Sequence, residues 1–336
     1  MANIFITDKC QRKCDFCFAK TGPWSEDYLP RLITETEVKE FVGLPSHENN
    51  TVLGIIGGEP LLHPNLVDLV HIFQQQGVTA KIFTSGTVAP EFVLDALGSI
   101  ESLFFVVNAH PRERYSEKEW QNLEAFFQRF HEKINLGCTL LNQDTGYLLE
   151  YISKYRLRPF IRLGVALPVI GGDNAHIPSG LYEETAKNIL QLAENCARKG
   201  ISLGFDCGFV ACMFTIEEIG ILLRAGVDLS FSCSPAVDVG PDLESWYCFP
   251  LSKFSRIPVR EMDNLFQLKE KFGKLDKMIR KFCSPGIFDR CSNCRLRRNN
   301  QCSGGCLAMI INQHTEKTGM SAEDIISVIE ERLLNA

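Results

Sequence analysis

The chain has 336 residues, 45% hydrophobic and 23% charged, with a formal net charge of −6. That length holds one large domain or two ordinary ones, and the acidic balance speaks against a dedicated nucleic-acid binder. No apolar run reaches the ~18 residues that span a bilayer, and MANIFITDKC turns polar too soon for a signal peptide, so a cytoplasmic protein without a membrane partner is expected.

Along the chain, an apolar strand at 2–7 comes first, then a helix at 34–44 whose start carries the acidic T-E-T-E cap. A strand at 51–57 leads to a helix at 65–76 that Gly77 stops. Strands at 79–85, 102–108, 134–141 and 160–167 alternate with helices at 90–97, 116–130, 147–155 and 181–199. Six βα units in succession predict a parallel sheet, open or curled into a partial barrel, with ligands at the C-terminal strand ends. From residue 202 the pattern becomes loop-rich, with helices near 215–225 and 263–282. A final helix at 322–334 opens on Ser321 with an acid three residues on. The expected division is a core over 1–205 and a small domain over 206–336, where weak apolar periodicity calls for metal as a source of order.

Fourteen cysteines stand in the chain. Without an export signal, and with ligand-like spacings, they read as metal ligands more than as disulfides. Cys138 and Cys196 lie in apolar elements and read as buried inert thiols. Cys10, Cys14 and Cys17, in CQRKCDFC, directly follow the first strand. Three thiolates on one tight loop can hold three irons of a cubane cluster and leave the fourth open to a substrate or cofactor.

This C-x3-C-x2-C spacing, joined to Gly57-Gly58-Glu59-Pro60 at the end of the second strand, resembles the radical S-adenosylmethionine superfamily. The resemblance implies a TIM-like partial (β/α)6 barrel, a [4Fe–4S] cluster on Cys10, Cys14 and Cys17, and S-adenosylmethionine on the open iron. It gives Gly57, Gly58, Glu59 and Pro60 the cofactor's amino group, since glycines admit a close backbone and a carboxylate suits an ammonium. By the same resemblance Phe16 lies beside the adenine and Ser85 at the ribose; Ser85 also reads as an ordinary turn serine. Asn108 faces the same mouth from the fourth strand, and Arg162 and Val165 lie on the sixth. An arginine in an apolar strand needs a partner, either the cofactor carboxylate or an acid on a neighbouring helix.

Nine further cysteines fall between 207 and 306, ending in CSNCRLRRNNQCSGGCLA. That block resembles the SPASM extension, a small cysteine-rich domain with one or two auxiliary [4Fe–4S] clusters, although its middle spacer is seven residues where the family pattern has five. By resemblance, one cluster takes Cys233, Cys248, Cys306 and either Cys212 or Cys207. The other takes Cys291, Cys294 and Cys302, with Cys283 as candidate replacement for a cysteine the pattern expects after Cys306. A structural zinc site is the alternative use of these thiols.

The expected activity is reductive cleavage of S-adenosylmethionine to a 5′-deoxyadenosyl radical that abstracts hydrogen from a substrate. By resemblance the substrate is a ribosomally made peptide to be crosslinked, epimerised or oxidised. A small-molecule dehydrogenase is the alternative, and a non-catalytic metal-stabilised binding protein, with Arg295, Arg297 and Arg298 for RNA, a third reading. A flavodoxin- or ferredoxin-type reductant is implied. With the cysteine loop starting at residue 10, a peptide would need a separate leader-recognition protein or a groove in the C-terminal region. The sulfatase-maturing branch has a basic aspartate after the cysteine equivalent to Cys248; Phe249 stands there, and Asp206 is the substitute base considered.

Overall fold

The computed structural model describes residues 2–19, 30–44, 51–88, 90–234 and 236–334. Seven strands lie side by side in chain order and all run parallel: β1 (Ala2–Phe5), β2 (Val52–Ile56), β3 (Thr79–Thr84), β4 (Leu103–Asn108), β5 (Ile134–Leu140), β6 (Phe160–Val165) and β7 (Ser202–Phe205). The six expected units are therefore present, and SLGF adds a seventh strand. On the far side of β1 lies β8 (Val237–Val239), also parallel, followed by antiparallel β9 (Glu244–Trp246) and β10 (Ile257–Pro258). Residues beyond 206 thus contribute strands to the same sheet as the core.

The sheet is curled. The Arg162 guanidinium on β6 stands 5.1 Å over the Phe83 ring on β3. Three strand spacings in a flat sheet would separate them by ~14 Å. Alternation then sends Asn3, Lys81, Phe83, Asn135, Arg162 and Asp238 to the concave side and a second, apolar set outward. Ile55, Ala80, Ile82, Phe105, Val107, Leu136, Ile161 and Leu163 are buried beneath the surrounding helices. Glycines on the concave side keep it open: a Cβ at Gly54 would stand 2.0 Å from Asn3 Oδ1, and one at Gly137 2.6 Å from Asn108 Oδ1.

The cover is α1 (Glu35–Val42), α2 (Leu66–Gln75), α3 (Glu91–Gly98), α4 (Glu117–Phe130), α5 (Gly146–Tyr155) and α6 (Tyr182–Arg198). Each supplies one apolar stripe; α4 buries Trp120, Leu123, Phe126, Phe127 and Phe130. The T-E-T-E signal is a reciprocal cap: Glu37 N donates to Thr34 Oγ1 at 3.4 Å and Thr34 N to Glu37 Oε2 at 2.7 Å. Such a cap contributes ~1 kcal/mol. After β7 come α7 (Ile216–Arg224), α8 (Leu265–Phe282), the short α9 (Arg295–Arg298), α10 (Leu307–Thr318) and α11 (Ala322–Leu334), with Ser321 capping the last through Asp324 N at 3.1 Å. Among the described residues no helix is long and apolar enough to cross a membrane.

Candidate active site and cysteine groups

The loop after β1 and the turn after β2 are zipped together by their backbones. Gly58 N donates to Thr7 O at 2.6 Å and Glu59 N to Lys9 O at 2.8 Å. This closeness explains both glycines. A Cβ on Gly57 would stand 2.6 Å from Thr7 O, and one on Gly58 2.4 Å from Lys9 O and 2.7 Å from Asp8 O. The GGEP turn is therefore the seat on which the cysteine loop rests. Cys10, Cys14 and Cys17 lie close enough to feel one another. Burial pushes the Cys10 thiol up to about 12, with Glu59, Cys17 and Cys14 adding like charge. Three neighbouring thiols on one loop suit a cluster that would take their protons on binding.

Glu59 is buried, and all its acceptor positions face protein donors. Thr84 Oγ1 at 2.5 Å and Leu61 N at 3.2 Å reach Oε1; Ser85 N at 2.8 Å and Ser85 Oγ at 2.5 Å reach Oε2. Burial raises its pKa against these hydrogen bonds. In this arrangement the carboxylate braces the turn against β3, while Gly57 and Gly58 beside it are half-buried. Gln11 Nε2 extends the network to Ser85 Oγ at 3.2 Å and Thr87 Oγ1 at 2.9 Å, tying the cysteine loop to the third strand. Gln11, Thr84 and Thr87 carry no motif, so sequence reading passed over them.

The other expected residues fall as follows. The Phe16 ring stands 5.6 Å from His110, and its carbonyl accepts from Asn174 Nδ2 at 3.3 Å. Pro60 is buried at the start of a short 3₁₀ turn. Asn108 ends β4 with its side chain over Gly137. Val165 is buried beneath Gly208, where a Cβ would meet its own Cβ at 2.7 Å. Arg162 Nη2 pairs with Asp206 Oδ2 at 2.7 Å, so its partner directly follows the next strand and is not on a helix. Asp206 is accordingly a held counter-ion. Deeper in the barrel lies a carboxyl that sequence reading missed. Asp238 is 6% exposed, accepts from Asn3 Nδ2 at 2.8 Å, and burial raises its pKa to about 7. The Trp246 indole N–H lies beside it without hydrogen-bond geometry. No signal marked Asp238, since a V-D-V triplet reads as an ordinary short strand.

The C-terminal cysteines form two groups. The Cys233 and Cys306 thiols raise the pKa of both Cys207 and Cys248 after the larger effect of burial, placing those four together. Beside them Arg280 is 5% exposed, with Nε on Asp276 at 3.1 Å, Nη2 on Gly305 O at 3.0 Å and Nη1 buried without a partner. A guanidinium with a spare donor beside four thiols fits an anionic cluster. The second group lines a cavity of about 170 Å³, to which Cys212, Cys291, Cys294 and Cys302 all contribute. The two alternatives left open for the first group, Cys207 and Cys212, fall in different places. Cys207 stands with Cys233, Cys248 and Cys306, and Cys212 faces Cys291, Cys294 and Cys302. Cys283 caps the end of α8, packs on the core and is not among the residues lining the cavity.

The C-S-G-G-C segment explains this partition. Gly304 and Gly305 have φ of +87° and +93°, and a Cβ on Gly304 would stand 2.6 Å from Pro285 O. This left-handed pair turns Cys302 toward one group and Cys306 toward the other. Cys306 also caps α10, whose N-terminal N–H groups favour a thiolate. One zinc ion would draw its sulfurs to ~2.3 Å. Among the described residues no three His, Cys, Asp or Glu side chains converge on a single-ion site. Phe249, where the sulfatase-maturing branch has its aspartate, packs against Phe5, Phe18 and Trp246 at centroid distances of 5.3, 5.4 and 5.6 Å. This apolar wall links the cysteine loop to the Cys248 segment.

Residues 4–110 match the family described as the Radical SAM superfamily. The GTP 3′,8-cyclase of Aquifex aeolicus (strain VF5) is 23% identical over 283 residues, covering 83% of this chain and 75% of that protein. The structure of tagged anSMEcpe with bound AdoMet has a TM-score of 0.62 at 17% identity, covering 100% of this chain and 98% of that one. Streptococcus suis SuiB bound to precursor peptide SuiA has a TM-score of 0.60 at 10% identity, with 80% of this chain covering 64% of that chain. At such identities the two structures share the fold with this chain.

Proposed function

We propose that this chain, which belongs to the radical SAM superfamily through residues 4–110, generates an organic radical at the barrel mouth and uses it on a peptide. The observation that carries the reading is the GGEP turn hydrogen-bonded to the backbone that presents Cys10, Cys14 and Cys17. With a [4Fe–4S] cluster and S-adenosylmethionine bound, the site supplies reductive cleavage of the cofactor and hydrogen abstraction. The chain's own residues position these groups. Cys10, Cys14 and Cys17 hold three irons, and the Gly57 and Gly58 backbone receives the cofactor's amino group. Phe16 lies by the adenine; Ser85, Asn108, Arg162 and Val165 shape the mouth below it. Phe5, Phe18, Trp246 and Phe249 exclude water along one side. The electron comes from a flavodoxin- or ferredoxin-type donor in the cytoplasm.

Two features support the peptide. The C-terminal thiol groups suit auxiliary [4Fe–4S] clusters, and the fold is shared with SuiB, which has been seen with its precursor peptide. A leader-recognition protein would deliver such a substrate. A second reading, oxidation or rearrangement of a small polar molecule, draws on the concave face itself, where Asn3, Arg162, Asp206 and Asp238 offer polar groups. The test is anaerobic reconstitution with iron and sulfide, then reduction with S-adenosylmethionine present. Formation of 5′-deoxyadenosine, and a mass change in a short peptide encoded beside this protein, is expected. Zinc in place of iron with no 5′-deoxyadenosine refutes the radical reading. Turnover of a nucleotide or sugar, with peptides untouched, refutes the peptide.

A further inference from the structure

The second C-terminal thiol group has a composition that its spacing does not suggest. Cys291, Cys294 and Cys302 come from one short block, Cys291 in a 3₁₀ turn and Cys294 capping α9. Their cavity needs one more wall, and a segment distant in sequence supplies it. After β7 the chain passes through Asp206 and Cys207 into the 3₁₀ turn Ala211–Met213. Val210, Ala211 and Cys212 then form that wall. Cys212 thereby shares one cavity with Arg290, Cys291, Cys294 and Cys302. Cys212 is exposed by its surface because it stands at the open rim.

We propose that Cys212 is the fourth thiolate of the second auxiliary [4Fe–4S] cluster, completing Cys291, Cys294 and Cys302, and that Cys283 is no cluster ligand. This rests on the reading that the C-terminal cysteines hold iron–sulfur clusters. The surroundings suit that occupant. Gly304 N donates to Cys302 Sγ at 3.4 Å, as a backbone amide does for a thiolate. Gly286 leaves room at Cys291, since a Cβ there would stand 2.6 Å from its Sγ. Coordination forms four Fe–S bonds and releases four thiol protons to solvent, so a 2+ core becomes a 2− complex. Arg290 and Arg297 both line the cavity and offset that charge. The arginine-rich stretch beside the cysteines thereby has an electrostatic role that needs no RNA. Cys283 lacks this setting: it caps the end of α8, packs on the core and does not line the cavity.

The test uses the full-length protein with Cys10, Cys14 and Cys17 replaced by alanine, reconstituted anaerobically, so that only auxiliary clusters contribute. Iron is counted and the reduced protein examined by EPR and Mössbauer spectroscopy in this parent, in Cys212→Ala and in Cys283→Ala. The parent is expected to hold about eight irons, Cys283→Ala the same, and Cys212→Ala about half, or a three-iron cluster in place of one cubane. Loss of a cluster in Cys283→Ala with Cys212→Ala unchanged overturns the assignment. A parent without iron overturns the wider reading instead, and the two failures are distinct. Alkylation with mass mapping covers a variant that fails to fold. In the parent, Cys212 should be protected while loaded and modified after chelation. Equal modification in both states refutes its ligation.

Discussion

Replacing Asp238 by asparagine should stabilise this protein, and more so at alkaline than at acidic pH. Burial holds the Asp238 carboxyl at about 7 against its ordinary 3.8, with Asn3, Trp246 and Arg162 only partly offsetting the loss of water. A carboxyl whose folded pKa is raised binds its proton more tightly in the folded chain. Below pH 3.8 both states are protonated and the group costs nothing. Between 3.8 and 7 the cost grows with pH, and above 7 it stays constant. At 1.36 kcal/mol per pKa unit, the penalty is about 2 kcal/mol at pH 5 and roughly 4 kcal/mol at pH 8. Asparagine carries no such penalty and still offers Oδ1 to Asn3 Nδ2. The gain should therefore rise by about 2–3 kcal/mol across that range. With ~2.1 cal/mol/K of unfolding entropy per residue, this corresponds to a Tm difference of roughly 3–4 °C. Anaerobic thermal scans of wild type and Asp238→Asn at pH 5 and pH 8 measure it. An equal shift at both pH values, or a larger one at pH 5, refutes the argument and shows that the carboxyl ionises in the folded barrel as freely as in water.

Gly58→Ala places a methyl where Lys9 O lies 2.4 Å away. It should cost at least about 2 kcal/mol of stability and reduce 5′-deoxyadenosine formation at least tenfold, read by chromatography alongside a melting curve; activity within twofold of wild type would refute the seat assigned to this turn. Arg280→Met removes a buried positive charge from beside Cys233 and Cys306. A unit charge at ~6–8 Å in an effective dielectric of ~20 is worth about 2 kcal/mol, so the nearby cluster's one-electron potential should fall by roughly 90 mV. Redox titration followed by EPR reads the change, and an unmoved potential would place Arg280 in a purely packing role.

Sequence and structure agree where local chemistry decides the outcome. The caps at Thr34 and Ser321 are side chains bonding to backbone three residues away, so the letters alone reveal them. The parallel units follow from apolar runs that recur between amphipathic ones. The two adjacent glycines after a strand pointed to a close backbone approach, but the sequence reading gave that approach to the cofactor, and the contact with Thr7 O and Lys9 O was not foreseen. What the letters withheld depends on contacts distant in sequence. The partners of Arg162 and Glu59 come from register across the sheet, which no spacing encodes. Asp238, in the middle of β8, carries no motif, and only its neighbours Asn3 and Trp246 set it apart. The cysteines show the limit best. Proximity in sequence favoured Cys283 for the Cys291 block, but α8 ends with that residue half-buried against the core and outside the cavity lining. The turn after β7 brings Cys212 to the cavity from a segment the spacing gave no reason to connect.

This arrangement also bears on how the two halves of the chain depend on each other. β8 pairs with β1, the strand that launches the cysteine loop, through Ala2↔Val237, Asn3↔Asp238 and Ile4↔Val239. Phe249, directly after Cys248, touches both Phe5 in that strand and Phe18 just beyond Cys17. Cys207 leaves β7, the last strand at the opposite edge, with its carbonyl accepting from Val165 N at 2.9 Å. The four thiols Cys207, Cys233, Cys248 and Cys306 thus join the segment leaving one edge of the curled sheet to the segments covering the other. The sheet ends at β7 on one side and at the short β10 on the other, and among the described residues no hydrogen-bonded ladder joins the two edges. A cluster held by those four thiols would tie the two sides together covalently, so loading it should raise the protection of the barrel mouth in hydrogen exchange, and unchanged protection on loading would refute the link.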